Sequence, residues 1–117
     1  MSERRVVVTG VGIICAVGVG REASWQALLS GTNGITMTTL VEASDLPSKV
    51  SGQVPEFDLG VYLDRKEARR MDRFTHLAIM AAGEALDQAQ LPLDKIADTT
   101  GCMIGSGIGG IETLEQE

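Results

Sequence analysis

Aromatic residues are nearly missing, with one Trp, one Tyr and two Phe in 117 residues. Any core must therefore be assembled from Val, Ile, Leu, Met and Ala. Cysteine is equally scarce: Cys15 and Cys102 are too few for a disulfide scaffold, and a reducing compartment is the simplest setting. Both read as small buried hydrophobes rather than nucleophiles. Basic residues are outnumbered ten to sixteen, for a formal net charge of −6, which excludes a general binder of nucleic acid or of anionic membranes. The single histidine, His76, lies on the long predicted helix and reads as a surface or satisfied core residue rather than as part of a Ser-His-Asp or Cys-His set. No metal-ligand spacing occurs, and the sequence supplies no catalytic residue and calls for no cofactor. Long hydrophobic runs are absent too. The apolar stretch after Arg4-Arg5 is broken by Thr9, Gly10, Gly12 and Gly18, which argues against a secretory leader. Nothing reaches the length of a membrane span. The expected location is the cytoplasm.

What is present is an alternation of strand and helix signals. Val6-Val7-Val8 is a β-branched run ending at Thr9-Gly10, which predicts a strand buried on both faces. Residues 22–29 carry helix formers, with Trp25, Leu28 and Leu29 at helical spacing, and Gly31 ends the helix. A weaker strand is predicted at residues 49–54. Asp64 and Asp72 are each placed to cap a helix. The second helix runs to about Gln90 with one wide apolar face, and Pro92 closes it. A third strand is predicted at residues 101–105 and a further helix from Gly109 onward. This order argues for an α/β fold with a mainly parallel or mixed sheet. Three strands are few for a layered sheet, and residues 113–117 hold no capping glycine or proline. The expectation is a single unit, residues 1–117, truncated in mid-fold.

Three motifs compete with bland readings. Val8-Thr9-Gly10-Val11-Gly12 invites a dinucleotide-binding reading, but the third glycine of G-x-G-x-x-G would fall at Cys15. A structural turn is the better reading. The run Gly105-Ser106-Gly107-Ile108-Gly109-Gly110 joins a predicted strand to a helix, and serves either as a tight turn or as a close approach to a ligand. Arg65, Lys66, Arg69, Arg70 and Arg73 hold five of the ten basic residues within nine positions. On one continuous helix, at about 100° per residue, they would fill an arc of roughly 140°. Such a ridge is either a solvated face or a dock for an acidic partner.

Taken in order, these pieces resemble the β-ketoacyl-acyl-carrier-protein synthases. The stretch from Arg4 to Gly12 is similar to that family's first strand and turn. Ser24-Trp25-Gln26-Ala27-Leu28-Leu29 with Gly34-Ile35 is similar to its first helix and following loop. The most characteristic piece is Arg65-Lys66-Glu67 with Arg69-Arg70-Met71-Asp72-Arg73-Phe74. The run from Gly105 to Gly110 looks like the glycine loop of the type II enzyme. One departure is Cys15-Ala16, where the family commonly has a small hydroxyl residue followed by Pro.

The resemblance implies a thiolase-like fold with α-β-α-β-α layers, of which residues 1–117 would be the N-terminal segment, and a homodimer when intact. It implies decarboxylative condensation of acyl and malonyl groups borne on acyl carrier protein in fatty-acid synthesis. The nucleophilic cysteine and two histidines of that chemistry would lie beyond Glu117, so the segment alone is expected to be inactive. It further implies that Lys66, Arg69 and Arg70 dock the carrier protein. Ile108 would lie beside the acyl pocket, and Gly105, Gly107, Gly109 and Gly110 would shape the loop. Two other readings stay open: a non-catalytic chain-length-factor-like partner subunit, and the start of a nucleotide-binding oxidoreductase.

Overall fold

The computed structural model describes residues 3–116. Its longest element is a helix, α3 (Arg73–Ala89), against which residues 10–21 are laid. Two short antiparallel strands, β1 (Ile14–Cys15) and β2 (Gly18–Val19), form a hairpin that leads into α1 (Arg21–Leu29). Strands β3 (Ile35–Met37) and β4 (Val50–Gly52) form a second antiparallel pair, in the register Ile35 to Gly52 and Met37 to Val50. A one-turn helix, α2 (Arg65–Ala68), precedes α3. Two short helices, α4 (Leu93–Ile96) and α5 (Ile111–Gln116), follow it.

The local signals are realised where they depend only on neighbours in sequence. Asp64 caps α2 by accepting a 2.7 Å hydrogen bond from the Lys66 amide. Gln90 ends α3 in the left-handed conformation, φ 48° and ψ 40°, two residues before Pro92. The predicted helix at residues 22–29 and the weaker strand at 49–54 appear as α1 and β4.

Two strands differ from expectation. Residues 6–8 are extended but unpaired, with Val6, Val7 and Val8 exposed at 93%, 74% and 82%. Residues 101–105 form no strand, and Met103 is 98% exposed. Both sheets among the described residues are antiparallel pairs. The physical reason lies in what a buried β-branched strand requires: paired neighbours on its edges and cover on its faces. These residues meet neither here.

In place of sheet pairing, the N-terminal segment is held by α3. Gly10 and Gly12 lie so close to it that an added Cβ would run into the Ala85 and Ala81 carbonyls, 2.9 and 2.7 Å from the carbonyl carbons. That approach lets α3 side chains reach the backbone. Gln88 Oε1 accepts from the Val11 amide at 2.7 Å, Glu84 Oε2 from Ile13 at 2.9 Å, and Glu84 Oε1 from Arg21 at 2.6 Å. The last of these satisfies an amide at the start of α1, whose own N-cap is Gly20 and offers no side chain. A Gly-x-Gly pair that faces a helix backbone is a packing device. It leaves no room there for a phosphate.

Candidate functional site

The cationic segment is built from a broken helix. After α2 the chain turns through Arg69 and Arg70, whose amides bond to the Arg65 and Glu67 carbonyls at 3.3 and 3.0 Å, and α3 begins only at Arg73. The single continuous helix considered above is therefore not formed. Arg65, Lys66, Arg69 and Arg70 nonetheless all stand exposed around this one turn.

Arg73 departs from the group. Its guanidinium donates to the Val54 carbonyl at 3.0 Å and lies 5.4 Å from the centroid of the Phe57 ring, a cation–π distance. Arg73 thus ties α3 to residues 54–57, and the exposed cluster has four members rather than five. His76 is likewise occupied: its Nε2 donates to the Ala68 carbonyl at 2.9 Å and braces α2 against α3.

The glycine loop begins beyond the short helical turn Ala97–Thr99. Residues 101–108 are exposed, Ile108 at 70%, whereas Gly109 and Gly110 are half-buried. Around Gly105 and Gly107 there is open space. Gly109 has φ 82°, a conformation that side-chain-bearing residues rarely adopt, and a Cβ added there would lie 3.6 Å from the Phe74 ring. Gly110 packs on the Asp72 carboxylate. Between them is a cleft of about 450 Å³ walled by Leu40, Val41, Phe74 and Ile111. The chain thus brings Gly109 and Gly110, the end of the glycine loop, to Asp72 and Phe74 at the start of α3.

The cysteines are separated from this region. Cys15 is half-buried in β1, where its Sγ lies 3.5 Å from the Ser24 hydroxyl. Hydrogen bonding from that hydroxyl and from the Val17 amide holds its thiol below the usual thiol range, against an opposing contribution from burial. Cys102 is exposed, not the buried hydrophobe that its sequence context suggests. Tyr62, which sequence reasoning passed over, donates to Asp87 Oδ2 at 2.5 Å, and this bond with the nearby carboxylates pushes its phenol upward. Among the described residues no helix is long and apolar enough to cross a membrane, and no group of three or more His, Cys, Asp or Glu is placed to hold a metal ion.

Residues 3–117 match the model of the "Beta-ketoacyl synthase, N-terminal domain" family, and the chain belongs to that family. It is 44% identical, over all of its length, to 3-oxoacyl-[acyl-carrier-protein] synthase 2 of Synechocystis, and 44% identical over 97% of its length to that of Staphylococcus aureus strain N315. The chain spans 28% of the length of each of these relatives. Among solved structures, 98% of it superposes on 30% of the ishigamide ketosynthase/chain length factor chain, with TM-score 0.78 and 28% identity. The likeness extends to the fold, that of the N-terminal part of a thiolase-like ketosynthase with mixed helix and strand.

Proposed function

We propose that the intact protein is a 3-oxoacyl-acyl-carrier-protein synthase of fatty-acid synthesis, and that residues 1–117 supply the N-terminal part of its condensing-enzyme domain. The observation that carries this reading is a cluster of four exposed cations, Arg65, Lys66, Arg69 and Arg70, on a chain of net charge −6 that shares 44% identity with such synthases along its whole length. Cations gathered against the overall charge attract an acidic partner and orient it on approach. In this reading Lys66, Arg69 and Arg70 dock acyl carrier protein in its acyl and malonyl forms. Gly105, Gly107, Gly109 and Gly110 shape the loop that presents Ile108 to the acyl chain.

The reacting groups belong to the remainder of the scaffold. There a cysteine thiolate takes the acyl group from its carrier protein. Malonyl-carrier protein then loses CO₂, and the resulting carbanion attacks the acyl thioester carbon. The cysteine thiolate leaves, and 3-oxoacyl-carrier protein is released. The complete domain in this account is a layered α-β-α-β-α homodimer in the cytoplasm, in which residues 6–8 and 101–105 gain the strand partners that they lack here.

The test is a condensation assay on the intact protein with acyl- and malonyl-carrier protein, following CO₂ release and formation of 3-oxoacyl-carrier protein. Both products are expected in equal amounts. A second reading, a non-catalytic chain-length-factor-like subunit, is favoured by the match to a ketosynthase/chain length factor. It predicts no condensation by the protein alone, with activity appearing only beside a catalytic partner.

A further inference from the structure

We propose that Asp72 is a positioning residue, whose carboxylate holds the glycine loop bearing Ile108 in register with the turn that carries Arg69 and Arg70. The inference rests on the functional reading above and names a device within it. Asp72 occupies the N-cap of α3 with extended backbone, φ −72° and ψ 159°, where an aspartate would ordinarily accept from an amide of its own helix. Its side chain makes no such bond. Instead Oδ1 accepts a 2.5 Å hydrogen bond from the Thr113 hydroxyl, 41 residues further on.

The same carboxylate fills the space beside Gly110. A Cβ added there would lie 2.6 Å from Asp72 Cγ, so only glycine allows the loop backbone to sit against it. The next residue back, Gly109, lies on the Phe74 ring. Residues 101–108 are exposed throughout, and the Gly110 contact lies two residues beyond Ile108.

The other side of the link is equally fixed. The Asp72 carbonyl accepts from the Thr75 and His76 amides at 3.0 and 3.3 Å, and the Met71 amide donates to the Ala68 carbonyl at 3.1 Å. The backbone from the cationic turn into α3 is therefore continuous hydrogen-bonded structure. Among the described residues, Asp72 is the one side chain of that junction that bonds to the segment after the loop. An acyl chain delivered by a partner docked on Arg69 and Arg70 thus meets a loop whose position is referenced to the same turn.

The test uses the intact synthase and reads the ratio of kcat/KM for long-chain over short-chain acyl primers on carrier protein. Thr113→Val removes the hydrogen bond, and Gly110→Ala pushes the carboxylate aside. Each is expected to change the ratio by about three- to tenfold, the effect of losing one hydrogen bond. KM for the carrier protein should hold steady. Thr113→Ser, which keeps the hydroxyl, and Asp72→Asn, which keeps an acceptor oxygen, should stay near the wild-type ratio. Tyr62→Phe, which loses the bond to Asp87 away from the loop, should leave the ratio alone whatever it does to stability. An unmoved ratio in Thr113→Val, or an equal change in Tyr62→Phe, overturns the positioning role. Absence of condensation by the wild-type enzyme overturns the functional reading itself, and the link falls with it.

Discussion

Isolating the 117 residues is the perturbation with the largest expected consequence. The chain exposes 9529 Å². A compact protein of 12.4 kDa exposes about 6,100 Å², so the excess is about 3,400 Å². The radius of gyration agrees, at 17.4 Å against about 13 Å for a compact chain of this length. Much of the excess is apolar: among the described residues Ala68 is the only buried hydrophobic side chain, while Val6, Val8 and Met103 are nearly bare. A second copy would not cover it, because a standard interface removes only about 800 Å² per partner. In the function proposed above, cover on that scale comes from the rest of the condensing-enzyme domain. The 117-residue chain expressed alone should therefore bind a hydrophobic dye, elute as an expanded or associated species, and melt without a cooperative transition. If the proposed function holds, co-expression with the remainder of the proposed synthase suppresses the dye binding and protects the amides of residues 6–8 from hydrogen exchange. A monomer of compact hydrodynamic radius with a sharp two-state melt would refute the reasoning.

Three further outcomes follow from the geometry. Gly12→Ala in the intact protein drives a Cβ into the Ala81 carbonyl and strains the neighbouring Glu84 bond to Ile13. The expected loss is about 3 kcal/mol, read as a shift in denaturant midpoint at unchanged m-value. Cys15 should alkylate at a lower pH than an ordinary thiol in a Cys102→Ser background, and Ser24→Ala should move its profile up. Because its folded pKa is depressed, the associated stability is fully present above the unfolded thiol pKa and is lost as pH falls through the folded one. A profile unaffected by Ser24→Ala would contradict the assignment. Ile108→Phe in the intact enzyme should select against long acyl primers by overfilling an apolar site, by about tenfold or more, while short primers are spared. An unchanged chain-length profile counts against Ile108 beside the acyl pocket.

What the sequence made legible is governed by near neighbours. The Asp64 cap, the stop at Gln90 before Pro92, and the span of α3 follow from propensity and capping within a few residues. The break between α2 and α3 was legible in Asp64 and Asp72, each placed to start a helix, and only the arc drawn for the five cations assumed one continuous helix. Arg73 was misplaced within that run because its partners, Val54 and Phe57, lie well upstream. Glu84 and Gln88 read as ordinary charged and polar positions on a helix. Their bonds to residues 11–21 span over 60 positions and depend on the bare backbone at Gly10 and Gly12. A Gly-x-Gly pair upstream of a helix with Glu and Gln four apart is the signal that was available. The β-branched run at residues 6–8 shows the opposite failure: its strand propensity is evident, yet propensity does not create the neighbours that a buried strand must pair with.

The most direct measurement is the KM of the intact synthase carrying Arg69→Glu and Arg70→Glu, compared between acyl groups on carrier protein and small free thioesters. Two exposed attractions become repulsions at about 0.2–1 kcal/mol per close pair, so KM for carrier-borne substrate should rise roughly tenfold. KM for the small thioester should stay unchanged, and added salt should impose the same defect on the wild type. Equal damage to both substrates, or no salt dependence, would contradict the docking role of this turn.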